Sequence, residues 1–160
     1  ENGELFSADS IKFPDSLKFR TPEGKVVYGG GGIMPDYFVP VDTSGRSSFL
    51  NKIIYAGLTN TFAFQYADKN REKILKLGSA KSFVDGFNID EQMFTEFLRF
   101  VEQKGIKNDP IGLKKSNLIL RNQLKALIGR SIFNNEAYFP VIHTQDKTVL
   151  KAVEIISRLK

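Results

Sequence analysis

Gly29-Gly30-Gly31-Gly32-Ile33-Met34-Pro35-Asp36 lies between two kinds of sequence, and its surroundings decide the fold class. Upstream, Leu17-Lys18-Phe19-Arg20-Thr21-Pro22-Glu23-Gly24-Lys25-Val26-Val27-Tyr28 reads as two short extended segments joined by a tight turn. Phe19, Val26, Val27 and Tyr28 supply the aromatic and β-branched side chains that suit a pleated surface. Pro22 fixes φ at the second turn position, and Gly24 accepts the positive φ that the turn demands. Tyr37-Phe38-Val39-Pro40-Val41-Asp42 forms a third extended segment. Nothing after Asp42 has a strand pattern. The expectation is an α+β chain: an N-terminal β-hairpin and extended segment, then a mainly α-helical C-terminal domain. A hairpin of this size is marginal in water by itself. It needs a neighbouring sheet, from this chain or from a larger protein of which this chain is a piece; Glu1, with no initiating Met, reads as a cut point.

The helical part is read from spacing. Residues 1–16 are polar, with a loop at Pro14-Asp15-Ser16, and Thr43-Ser44-Gly45-Arg46-Ser47 offers several N-caps. Leu50, Ile53, Ile54, Leu58, Phe62 and Tyr66 recur every three or four residues and predict one amphipathic helix. Ile74, Leu75 and Leu77 predict a short helix stopping at Gly78. Ser82 to Phe87 predicts one turn at most. Asn88 or Asp90 caps a helix carrying Phe94, Phe97, Leu98 and Val101, with Gly105 at its end. Asp109-Pro110 opens the next, an acidic cap before a Pro at the first helical position. Its stripe is Leu113, Leu120, Leu124, Leu127 and Ile128, with Lys114, Arg121 and Lys125 on a separate face. Glu136 to Val141 is a brief helix that Pro140 should bend or end. Asp146 caps the last, through Val149, Val153 and Ile156.

Composition narrows the chemistry. The 160 residues are enough for one compact core, and the 14 Phe with no Trp favour packing without polar atoms to satisfy. No apolar run approaches the roughly 18 residues of a spanning helix. There are no Cys, so disulfides and thiol catalysis are excluded. His143 is the single His, too few for a zinc site, and its place near a helix end reads as structural. From Glu102 to Arg130, seven basic residues (Lys104, Lys107, Lys114, Lys115, Arg121, Lys125, Arg130) face two acidic ones, Glu102 and Asp109, and account for the net charge of +5. Such a helix can track phosphates, but no aromatic residues alternate with these charges as stacking platforms. A solvated helix face is the simpler reading.

No catalytic constellation emerges. The glycine run is followed by Ile33-Met34-Pro35, where a phosphate loop needs Lys-Ser/Thr opening a helix. Ser157-Arg158-Leu159-Lys160 is the one Ser-x-x-Lys spacing, and at a chain terminus it reads as chance. Asp85 with Asp90, and Glu91 with Glu102, are explained by caps and exposed helix faces. No cofactor is implied and no metal ligands are assigned.

Thr21-Pro22-Glu23-Gly24-Lys25, an aliphatic pair, then Gly31-Gly32-Ile33-x-Pro35-Asp36 and an extended segment together resemble the end of the catalytic core of carboxyl-terminal processing (tail-specific) serine peptidases. That family shows Thr-Pro-Ser-Gly-Arg, a strand, and Gly-Ile-x-Pro-Asp; here Glu23 replaces the Ser and Lys25 the Arg. The glycine run and the tail segments Asp68-Lys69-Asn70-Arg71 and Asn122-Gln123-Leu124-Lys125-Ala126 look most like Bacteroidetes-type forms. The motif match covers residues 17–42; a weaker likeness runs over most of the rest.

The resemblance implies a parent that hydrolyses peptide bonds with a Ser-Lys dyad in the periplasm or cell envelope. The family's nucleophile, base and substrate-capturing PDZ module lie ahead of the Thr-Pro-x-Gly segment, so no catalytic residue carries over. Thr21, Pro22, Gly24, Gly31, Gly32, Ile33, Pro35 and Asp36 would have a structural role beside the active-site sheet. On this reading residues 1–45 complete the protease core, and residues 46–160 form a helical domain that packs on it, orders a substrate channel or mediates oligomerisation. Its partners would be the rest of the peptidase, peptide substrates through it, and a second copy; no nucleic acid is expected. The alternative is a free-standing basic helical module that binds nucleic acid or another polyanion.

Overall fold

The computed structural model describes residues 5–6, 15–29 and 36–158. They form an α+β chain dominated by helix, with a two-stranded antiparallel sheet near the N-terminus. Two units separate, Glu1–Asp42 and Thr43–Lys160.

In the first unit, a single 3-10 turn at Asp15–Leu17 leads into β1 (Lys18–Arg20), which pairs with β2 (Val26–Tyr28). The register sets Lys18 opposite Tyr28, Phe19 opposite Val27 and Arg20 opposite Val26. The connecting turn closes on itself: Gly24 N–H donates to Thr21 O at 2.9 Å, and Thr21 N–H to Lys25 O at 2.8 Å. Gly24 holds φ at +82°, which a side chain would resist. The ladder continues one step further, with Gly29 N–H on Leu17 O at 2.8 Å. Phe19, Val26 and Val27 remain 57%, 36% and 41% exposed. The extended segment from Tyr37 to Asp42 forms no strand. Pro40 has no N–H to contribute to a ladder, while Val41 N–H donates to Leu5 O at 2.9 Å.

The second unit is organised by α6 (Pro110–Phe133), whose 24 residues make a rod of roughly 36 Å. Around it pack α1 (Ser48–Tyr55), α2 (Leu58–Lys69), α3 (Arg71–Leu75), α4 (Ala80–Gly86) and α7 (Asn135–His143). α5 (Glu91–Gln103) packs on α2, and α8 (Lys147–Arg158) on α7. Gly112, Ser116, Leu120, Leu124 and Ile128 are all buried, one every fourth residue; Ala126 and Gly129, on other sides of the helix, are buried too. Burial on several sides marks a helix enclosed by its neighbours rather than one with a single apolar stripe. Ser116, polar and fully buried, is satisfied: its hydroxyl donates to Gly45 O at 2.7 Å and meets Ser47 Oγ at 2.8 Å. A Cβ on Gly129 would lie 2.6 Å from the Phe83 ring, so α4 and α6 approach closely only because that residue is Gly.

Several helix starts are capped by a side chain, although α2, α3 and α7 are not. Ser47 Oγ accepts from Leu50 N–H at 3.1 Å, Asp90 Oδ1 from Met93 N–H at 2.8 Å, and Asp109 Oδ1 from Gly112 N–H at 2.9 Å. Asp146 Oδ1 accepts from Thr148 and Val149. Between helices, Phe62 meets Phe97 edge-on at 5.3 Å and Phe83 tilts against Phe133 at 5.7 Å, while Phe83 also stacks on Phe87, the C-cap of its own helix, at 4.6 Å. These rings fill space in and around the core without a polar atom to satisfy.

Three expectations need correction. The single helix from Leu50 to Tyr66 is two, α1 and α2, because Gly57 takes φ +66° and breaks the ladder; Leu50, Ile53, Leu58 and Phe62 stay buried across the break, while Ile54 is exposed. Residues 80–86 make a seven-residue helix rather than one turn at most, capped by Ser79 Oγ and anchored by the fully buried Phe83. Of the two outcomes expected at Pro140, the ending does not occur: α7 runs through it to His143, since losing one backbone donor does not overcome the burial of Ala137 and Val141.

Candidate functional site

The peptidase-like motif is described in part. Thr21, Pro22 and Gly24 lie in the hairpin turn, where Lys25 N–H also donates to Thr21 Oγ1 at 3.2 Å. Gly31, Gly32, Ile33 and Pro35 lie outside the described residues. Asp36 is described, and its carboxylate pairs with the Lys25 ammonium, joining the residue after Gly24 to the last residue of the second motif half. Both partners are well exposed, so the pair sets local geometry more than stability.

The basic stretch does not behave as one face. Arg121 reaches across to the start of α5, donating through Nη1 to Ile89 O at 2.6 Å and through Nη2 to Glu91 Oε1 at 2.6 Å. Its Nε donates to Asn117 Oδ1 at 2.9 Å, and its guanidinium covers the Phe94 ring at 4.0 Å. Lys125 Nζ donates to Val84 O at 2.7 Å, near the end of α4. Burial pushes this ammonium below the ordinary lysine value, and Asp85 restores part of the shift. Arg130 covers the Tyr138 ring at 5.1 Å. Lys104 Nζ lies over the Phe100 ring at 5.6 Å. These contacts commit four of the seven cations to the fold itself.

The remaining singled-out residues stay apart. His143 stacks on Phe139, one turn earlier in α7, at 5.6 Å. Ser157 donates to Val153 O at 2.7 Å, and Lys160 lies outside the described residues. Asp85 pairs with Lys81, Asp90 caps α5 and Glu91 holds Arg121. Among the described residues no cluster of His, Asp or Glu could hold a metal ion, and no helix is long and apolar enough to cross a membrane.

One feature was not singled out by sequence reasoning. A polar groove of about 270 Å³ lies where the end of α2 and the start of α3 face α5. Tyr66, Lys69, Asn70 and Lys73 line one wall; Asp90, Gln92, Met93 and Glu96 line the other. The signal was present as polar residues at i, i+3, i+4 and i+7 from Tyr66, a helical stripe with the wrong polarity for core. Tyr66 is held above the ordinary tyrosine value, first by burial and then by Asp90 and Glu96.

Fold and site together define a helical domain organised on one long helix, preceded by a hairpin and without a catalytic cluster among the described residues. Residues 49–134, which run from α1 through the end of α6, match the model of a family described as a family of unknown function (DUF8443). The chain belongs to that family. No curated protein and no solved structure matches it.

Proposed function

We propose that this chain is the trailing, non-catalytic part of a serine endopeptidase of the carboxyl-terminal processing type. The hairpin unit would complete the edge of the catalytic core, and the helical unit would serve as its structural, substrate-channel or oligomerisation domain. The observation that carries this reading is the Lys25–Asp36 ion pair. It links the two halves of the resembled motif and gives the Lys at the position of the family's Arg something to do. The exposed Phe19, Val26 and Val27 add support, since a hairpin bare on both faces is what a sheet edge looks like without its neighbours. The Ser nucleophile and Lys base would come from the catalytic core, in the periplasm or cell envelope.

A paired peptidase assay tests the proposal. The 160-residue chain should show no turnover of unstructured protein substrates, while the gene product that carries it should cleave them and lose that activity with its nucleophilic Ser. Turnover by the isolated chain after rigorous purification overturns the assignment. So does a parent gene product that encodes no peptidase core.

A further inference from the structure

We propose that the groove between the α2–α3 junction and α5 binds the two charged ends of a small zwitterion, an amino acid or short peptide. This goes beyond the peptidase reading and does not depend on it.

The two walls carry opposite charge. Lys69 and Lys73 stand on one, Asp90 and Glu96 on the other. Some exposed opposite charges in the molecule close on each other, as Lys81 with Asp85 at 2.6 Å and Arg158 with Glu154 at 2.6 Å. Here they do not: among the described residues neither Lys69 nor Lys73 makes an ion pair or hydrogen bond. Asp90 uses Oδ1 to cap Met93, and Glu96 accepts only a long 3.3 Å bond from Gln92, so both retain acceptor capacity. The negative wall is felt inside the groove, since Asp90 and Glu96 both push the Tyr66 phenol upward. That field favours a ligand ammonium on the α5 side. The free lysines favour a carboxylate opposite, where charge-assisted hydrogen bonds are shorter and stronger than neutral ones.

Size and floor agree. The groove, about 270 Å³, falls just below the roughly 300–1,000 Å³ of drug-sized pockets, room for one or two residues. Its floor includes the buried Met93 and the half-buried Tyr66 ring, which offer a small apolar surface for a side chain. A simple anion would leave the acidic wall unused, and a simple cation the lysines.

The test is an amide-resolved NMR titration of the full 160-residue chain with alanyl-alanine, its N-acetyl form, its C-terminal amide, the doubly blocked form and, separately, inorganic phosphate. The free dipeptide should move the amides of Tyr66 to Lys73 and Asp90 to Glu96 along one saturable curve. Blocking either end should weaken binding about tenfold. Substituting both Lys69→Gln and Lys73→Gln should abolish the preference for the free carboxylate alone, and Glu96→Gln should reduce the preference for the free amine. These side chains are on the surface, and the melting curves of the variants report that the fold is kept. The proposal is overturned by any of three results: no saturable shift in these segments, equal affinity for free and doubly blocked dipeptide, or tighter binding of inorganic phosphate than of the dipeptide.

Discussion

The helical unit encloses Phe83, Phe97, Leu120, Leu124 and Ile128 completely, whereas the hairpin leaves Phe19, Val26 and Val27 in contact with solvent. Both regions contain the residues their elements require, and their local geometry is equally well formed: Asp109 caps α6 as cleanly as Gly24 closes the β1–β2 turn. What differs is the surface removed from water. A cap or a turn contributes about 1 kcal/mol, while burying one large apolar side chain contributes roughly 1.5–3 kcal/mol. The helical unit therefore has its own source of stability. Among the described residues the hairpin buries little apolar surface, and an isolated hairpin of this size is marginal in water.

Substitutions should expose this difference in graded steps. Phe97→Ala removes a fully buried ring that touches Phe62 and Phe94. It should cost about 3–5 kcal/mol, read as a large fall in the denaturant midpoint of the helical signal. Arg121→Ala should come next, at about 2–3 kcal/mol, because it leaves Ile89 O without its charged donor and uncovers Phe94. Lys114→Ala, from the same basic stretch, should stay within about 0.5 kcal/mol. Equal effects at the two positions in a chemical melt would show that the cations form one solvated face after all. Asp109→Ala should cost about 1 kcal/mol through the lost cap. Phe19→Ser should be as small as Lys114→Ala, leaving the helical melt unchanged within about 0.5 kcal/mol, since its ring is exposed; a larger shift would mean that the hairpin shares in the helical unit's stability.

Much of this was legible in the sequence wherever one residue decides the outcome locally. Asp90, Asp109 and Asp146 announce helix starts because a short acidic side chain reaches its own backbone N–H groups. Gly78 and Gly105 announce ends because they accept positive φ, here +87° at both. Legibility failed where tertiary packing decides. The apolar spacing from Leu50 to Tyr66 continues in phase across Gly57, so nothing in it reveals the break between α1 and α2. Phe83 holds a seven-residue helix that local propensity would not. Arg121 and Lys125 count as surface charge in any tally, yet both point at backbone carbonyls on other elements. With Lys104 over Phe100 and Arg130 over Tyr138, those geometries leave Lys107, Lys114 and Lys115 to serve a polyanion, a thinner basis than the seven that the sequence presents. The groove was missed for a related reason: Lys69 and Lys73 look like ordinary solvated lysines until α5 sets Asp90 and Glu96 across from them.

The contrast between the two units is tested most directly by native-state hydrogen exchange on the 160-residue chain. Amides in α6, such as Leu120, Leu124 and Ile128, should exchange only through global unfolding, while those of Thr21, Gly24 and Gly29, hydrogen-bonded within the hairpin, should exchange at close to unprotected rates. Protection of the hairpin amides equal to that of α6 would contradict the account, because it would make the hairpin self-sufficient and remove the need for a larger sheet.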